Sequence, residues 1–320
     1  MKNGGRKLRT VENIKKFCIK SVCLAVLSAS LLSVTGCGMW NRLWSESGPL
    51  AGDRVIYKSE TEASTDIVFP GAVEYTGKPH DGTDIYYVGK GENKKHIIVI
   101  DPGHQEKANL EEAPIGPGAD AMKIKVAGGA ESKTGQKEYE LNLNVALILR
   151  DMLIERGYSV VMIRETNDVD ISNAERAEIA NKYSASAFIR IHANSSEDTS
   201  VRGVQMLCQT ANNPYPDCAA TYSDSRALSE IIMNSYCDET DFKKLSIIET
   251  DTMSGINWCA VPTTILEMGF LSNDSEDRYM ATEIFKRSAA KGIADGIDEY
   301  IGRIDARASE ESLAQTSANS

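Results

Sequence analysis

The stretch His96-Ile97-Ile98-Val99-Ile100-Asp101 decides the fold. Its apolar residues run on without alternation, as in a strand buried on both faces of a sheet. The chain beyond it alternates helix and strand. A helix pattern over 139–156 carries the apolar stripe Leu141, Val145, Ile148 and Met152, and Gly157 stops it as a C′ glycine. Tyr158 to Ile163 reads as the next strand. Ser172-Asn173-Ala174-Glu175 has the S-x-x-E form of a capping box and opens a helix to about Tyr183. Strands at 187–192 and 204–208, a helix near 223–237, a strand at 263–266 and a helix over 283–302 complete the series. The pattern predicts an α/β domain over 94–303, with a mostly parallel (mixed) central sheet and helices on both faces.

Such sheets collect their functional groups at the carboxyl ends of strands. Here three strands end on polar groups: Asp101 to His104, His192, and Glu267. The chain has only four histidines. His80 sits in a Pro/Gly-rich lead and His96 opens a strand. His104 and His192 instead follow apolar strands and have small neighbours, Pro102-Gly103 and Ala193-Asn194. Two histidines plus one glutamate is an established zinc-ligand set that leaves a position open for water. Glu138 shares the stripe of Leu141 and Val145 and faces the sheet; Glu140, on the face of Leu143, Asn144 and Leu147, is its rival. An acidic residue at a helix start also fits the helix dipole without any metal. Glu267 closes the run Ile265-Leu266-Glu267, where a carboxylate suits proton transfer, a salt bridge or a cap.

The first residues are set apart from the domain. Residues 1–20 carry seven Lys and Arg, an apolar run of 15 residues spans Ser21 to Thr35, and Gly36-Cys37 follow. That has the form of a secretory signal, short for a membrane span of roughly 20 residues, with an uncleaved N-terminal anchor as the alternative. Val34-Thr35-Gly36-Cys37 resembles a bacterial lipobox, which implies cleavage after residue 36 and a diacylglyceryl group on Cys37. The expected location is extracytoplasmic, anchored to the cell membrane through Cys37. Residues 37–93 read as a tether and lead, with short β-like runs at 67–69 and 84–88. Residues 304–320 read as a disordered tail.

Without residues 1–36 the chain has 28 Lys and Arg against 45 Asp and Glu, a formal charge of −17. That argues against nucleic acid as a partner. Cys208, Cys218, Cys237 and Cys259 remain after the leader; Cys208 and Cys218 flank a turn-rich segment and are placed to pair, while buried free thiols are equally consistent.

Five segments, in order, resemble the zinc-dependent N-acetylmuramoyl-L-alanine amidases of the amidase-3 type. They are Ile98 to His104, Glu138 to Ala146, Gly157 to Val160 with Arg164, Ile189 to Asn194, and Val261 to Asn273. The resemblance covers about 96–302. It implies peptidoglycan as the partner and cleavage of the amide between N-acetylmuramic acid and L-alanine. It implies one Zn²⁺ per chain held by His104, Glu138 and His192, with Glu267 as the catalytic carboxylate. The family's helix-start glutamate lies five residues before a leucine, here Leu143, which selects Glu138 over Glu140. Arg164 matches a strand-end arginine with a structural or substrate-orienting role. Two features depart from the family pattern. Arg190 stands where a small residue is expected, and 105–137 is long and Gly-rich, as in a lid or groove wall. Two other functions stand beside this one: a zinc peptidase acting on stem peptides with the same groups, and a catalytically silent peptidoglycan-binding surface module in which zinc is structural or absent.

Overall fold

The computed structural model describes residues 95–318. The β-like runs at 67–69 and 84–88, and the leader with Cys37, lie outside the described residues.

Strand β1 is Ile97–Pro102. Ile98, Val99 and Ile100 are all fully buried, Ile98 and Ile100 in one apolar cluster and Val99 in another. Both faces are covered, which is why the sequence shows no alternation. With β4 (Ser159–Met162), β5 (Ala187–Asn194), β6 (Val204–Cys208), β7 (Lys244–Glu249) and β8 (Thr263–Phe270) it builds a six-stranded sheet. The order is β4-β1-β5-β8-β6-β7. The first four strands are parallel; β6 runs against β8 and β7 runs with β6. The mixed, mostly parallel α/β architecture expected from the sequence is the one found.

Helix α1 (Glu138–Glu155) packs Leu141, Val145 and Leu149 into the larger cluster. Its end closes as a Schellman motif: Gly157 N donates to Ile154 O and Tyr158 N to Leu153 O, with Gly157 at φ 88. Helix α2 (Asn173–Lys182) covers the opposite face beside Val99, Val161 and Phe188. Its capping box is complete: Glu175 N donates to Ser172 Oγ at 3.2 Å and Ser172 N to Glu175 Oε2 at 2.7 Å. Such a cap contributes about 1 kcal/mol.

A short helix α3 (Pro216–Ala220) leads into α4 (Tyr222–Thr240). Then come α5 (Ser254–Asn257), α6 (Asp274–Met280) and α7 (Glu283–Ala318). Helices α4 and α7 supply Leu228, Ile232, Phe285, Ile293 and Ile297 to the α1 face of the core. The expectation of a disordered tail over 304–320 is corrected here, because α7 continues to Ala318. From 305 to 317 its side chains stand in solvent. The tail is polar enough to read as disorder, yet its Ala, Glu, Leu, Arg and Gln residues are good helix formers and extend a helix already nucleated on the core.

The long segment after His104 holds an antiparallel hairpin, β2 (Asn109–Pro114) and β3 (Met122–Val126). It is fastened to the domain along its length. Trp258 Nε1 donates to Pro114 O at 3.0 Å, Asn257 Nδ2 to Ile115 O at 3.2 Å, and Asn173 Nδ2 to Lys125 O at 3.0 Å. Of the two expectations for this segment, a lid or a wall, these bonds make it a wall. Cys208, Cys218, Cys237 and Cys259 are buried free thiols.

Candidate metal centre and active site

Three chain segments meet where β1, β5 and β8 end. β1 runs into Gly103 and His104, whose backbone is left-handed at φ 61. A non-glycine residue there costs of order 1–3 kcal/mol and persists only when its surroundings fix it. The fixing contacts are on both sides. His104 Nδ1 bonds to Ala127 O at 2.8 Å, and Arg176 Nη2 donates to His104 O at 3.2 Å. With Nδ1 as the donor, Nε2 turns its lone pair toward the site.

β5 delivers His192 beside it, ring centroids 4.8 Å apart at 81°. His192 Nε2 is buried against Gly103 with no partner among the described residues, so Nδ1 is the nitrogen that faces the cluster. Burial pushes the imidazole down to about 4, which leaves it neutral and able to donate a lone pair.

Glu138, in the first turn of α1, closes the set. Its Oε1 lies 3.1 Å from His104 Nε2 and 3.1 Å from His192 Nδ1. Backbone donors hold the carboxylate, Ala130 N on Oε2 at 2.8 Å and Ala193 N on Oε1 at 3.2 Å. Burial opposes its charge, but the two histidines overcome that and hold the carboxyl well below the usual range. Glu140 points to solvent, so the α1 glutamate brought to the histidines is Glu138. One ligand atom from each of His104, Glu138 and His192 lies within 4.8 Å of the others. Two imidazole nitrogens and one carboxylate oxygen, so spaced, fit a tetrahedral divalent ion with one open position.

The three residues line a cavity of about 390 Å³ with Gly129, Asn194 and Glu267. Glu267 sits on β8 directly across from His192. Its carboxyl is pushed up to about 8, first by burial and then by the charge on Glu138, while Arg190 draws it down. A carboxyl that changes charge near neutrality suits proton transfer.

Arg164 is fully buried and spends its donors on protein: Pro102 O, Gly103 O, Tyr139 O, Thr166 O and Asn167 Oδ1. It bolts the loop of His104 to the start of α1 and so acts on structure rather than on a ligand. Arg190 is also buried, its Nε donating to Asp101 Oδ2 at 2.8 Å and its Nη2 to Asn173 Oδ1 at 2.7 Å.

Asp101, which the sequence marks only as a strand-end polar group, joins these parts. Asp101 is completely buried between Arg190 and Arg176, whose Nη1 lies 2.6 Å from Oδ1. Burial alone would raise its pKa, yet the two guanidinium groups hold the carboxyl far below its ordinary value. Arg176 also reaches Gln105 Oε1 at 2.9 Å, bracing the loop beyond His104. The available signal was that a carboxylate ending a doubly buried strand requires a buried cation nearby.

A family model described as N-acetylmuramoyl-L-alanine amidase matches residues 98–299. An amidase of that name from Neisseria meningitidis is 26% identical over 253 residues, which is 67% of this chain and 55% of that protein. The chain thus spans about half of that relative's length. A sporulation-specific N-acetylmuramoyl-L-alanine amidase of Bacillus subtilis is 30% identical over 206 residues, covering 63% of this chain and 67% of the relative. Among solved structures, the catalytic domain of an amidase from Bacillus (Paenibacillus) polymyxa aligns with a TM-score of 0.51 and 26% identity, over 65% of this chain and 98% of that one. An amidase of Mycobacterium smegmatis shares the fold at a TM-score of 0.58 and 21% identity, over 65% of this chain and 98% of that one.

Proposed function

The chain belongs to the N-acetylmuramoyl-L-alanine amidase family, and on that premise we propose that it is a zinc-dependent peptidoglycan hydrolase that cuts the amide between N-acetylmuramic acid and L-alanine. The observation that carries the reading is the meeting of His104, Glu138 and His192 around one point, with Glu267 on the same cavity wall.

His104 through Nε2, His192 through Nδ1 and Glu138 through Oε1 would hold the ion. Zinc bound there supplies Lewis acidity to the scissile carbonyl and lowers the pKa of water toward ~7. Glu267 takes the proton of the attacking water on its carboxylate and hands it to the L-alanine nitrogen as the amide breaks. Asp101, Arg176 and Arg164 hold the His104 loop so that the histidines keep their geometry before substrate arrives.

The N-terminal sequence supports an extracytoplasmic location, with Cys37 lipidated and the catalytic domain tethered to the membrane. A diacylglyceryl thioether brings two acyl chains, enough for stable anchoring. The deciding experiment is mass spectrometry of muropeptides after digestion of purified peptidoglycan. Free stem peptides beginning with L-alanine support the amidase. Shortened stems still on muramic acid would assign the same zinc chemistry to a peptidase. An undigested sample would leave a binding module.

A further inference from the structure

The sheet face that carries Glu267 continues past the cavity as two ordered rows. Glu267 on β8 stands opposite Gln205 on β6, and Gln205 opposite Ser246 on β7. The next row on that face is Ile265, Leu207 and Ile248, about 7 Å along the strands. Apart from Glu267 itself, neither row contains an acidic residue. The first row is linked by side chains: Asn194 Nδ2 donates to Gln205 Oε1 at 2.8 Å, and Gln205 Nε2 to Ser246 Oγ at 3.3 Å. Gln205 is half-buried and Ser246 exposed, so the first row leads from the cavity into solvent as a shelf, while Ile265 and Leu207 of the second row are buried and only Ile248 is exposed.

A cation borders this shelf. Met253 packs on the cluster of Leu207 and Ile265. Lys123 of β3 reaches across, its Nζ donating to Thr252 O at 2.7 Å and lying 3.8 Å from Met253 Sδ. Lys123 is half-buried, and none of the ion pairs among the described residues includes it. Its surroundings remove water without returning negative charge, and burial pushes its ammonium down. A cation held by a carbonyl and a thioether keeps donor capacity for an anion.

We infer that Lys123 and the Glu267–Gln205–Ser246 row form a carboxylate-recognising subsite for the acidic stem peptide. The inference rests on the amidase reading for its direction. Glu267 returns a proton to the leaving amine, so the peptide side of the scissile bond lies at Glu267 and the peptide continues over the shelf. Gln205 and Ser246 then meet its backbone amides, and Lys123 meets a free carboxylate beyond them. The charge balance fits: an anionic peptide approaching a chain of −17 formal charge after removal of residues 1–36 needs a local cation.

The test is calorimetric binding of the released stem peptide to the full chain, with no turnover required. The peptide is used with all carboxylates free, with each amidated singly, and with all amidated. The free acid should bind roughly twofold to fivefold more tightly than the fully amidated form, the range for a partly exposed charge pair. Lys123→Met should abolish that preference, and Lys123→Arg should retain it. The single amide that loses the preference identifies the carboxylate. Equal binding of acid and amide by the unaltered chain, no measurable binding of the acid, or a preference that survives in Lys123→Met would each overturn the subsite. Because binding is read without hydrolysis, a chain that fails to cut peptidoglycan still reports on Lys123. A fully active amidase without this preference rejects the subsite alone.

Discussion

The ring of His192 lies against Gly103, where an added Cβ would come within 2.2 Å of Cε1. The absence of a side chain at 103 is therefore what lets the imidazole turn Nδ1 toward Glu138. Gly103→Ala should displace the ring while the fold survives. We expect zinc affinity to fall ~10–100-fold, as when a supporting group of a metal site is lost, with activity falling alongside it. Metal titration and circular dichroism check this. Unchanged zinc affinity would show that the ring has room to spare.

Glu267 touches neither histidine through a hydrogen bond among those described, so its removal should leave the metal in place. Glu267→Gln should retain stoichiometric zinc and lose ~10²–10⁴-fold in kcat, the scale of one positioned proton carrier. His104→Ala, in contrast, should lose zinc and activity together. Elemental analysis beside a peptidoglycan-release assay separates the two outcomes.

The same carboxyl makes the metal-free protein sensitive to pH. Its folded pKa, about 8, is raised above an unfolded value of ~4.3. A raised pKa gives a stability contribution that is complete below the unfolded value and lost as pH rises through the folded one. Metal-free protein should lose stability from about pH 5 to pH 8 through this group, and Glu267→Gln should flatten that slope. Urea unfolding across the range, with chelator present, is the measurement; identical slopes would remove Glu267 as the cause.

Asp101 works in the opposite sense. Its folded pKa is depressed by Arg176 and Arg190, so its contribution is present above an unfolded value of ~3.9 and lost as pH falls below it. Asp101→Asn should remove that acid-side dependence. It should also leave two buried guanidinium groups uncompensated, costing about 3–5 kcal/mol at neutral pH. Denaturant midpoints at pH 7 and pH 3 test both. A neutral-pH cost under about 1 kcal/mol would mean that the arginines find other partners.

The end of α7 should be dispensable for the domain. Past Ile304 it holds on through exposed pairs, His96 Nε2 with Asp305 at 3.0 Å and Arg307 with Asp224 at 3.1 Å. Cutting after residue 308 keeps both. Stability should change by less than about 0.5 kcal/mol, with amidase activity intact. A larger loss would reveal packing by the residues after 308.

The legible part of the fold was the part whose burial imposes a pattern. Ile97 to Ile100, the α1 stripe with Gly157, and the capping box at Ser172 each announce themselves locally. The hairpin β2–β3 and the edge strand β7 did not. The hairpin residues are largely exposed or half-buried, so no face is kept apolar, and in β7 the alternation is only Leu245 and Ile247 before Ile248 and Glu249 break it. Among the site residues, His104, His192 and Glu267 were readable as strand ends. Spacing left Glu138 and Glu140 open, because the difference between them is depth in the first turn of α1, set by Ala130 and Ala193 reaching one carboxylate. The Asp101–Arg176 pair joins residues 75 apart in the chain, and long-range pairing of that kind leaves no local mark.

The hairpin wall carries a mechanical consequence. Held at Pro114, Ile115 and Lys125 by α5, its flanking tryptophan and the start of α2, it stands beside the cavity as a fixed jaw. A jaw that stays open admits a strand sideways at any point along its length. For the peptidoglycan mesh proposed as substrate, whose strands offer few free ends, an open-sided cleft would have no need to find one.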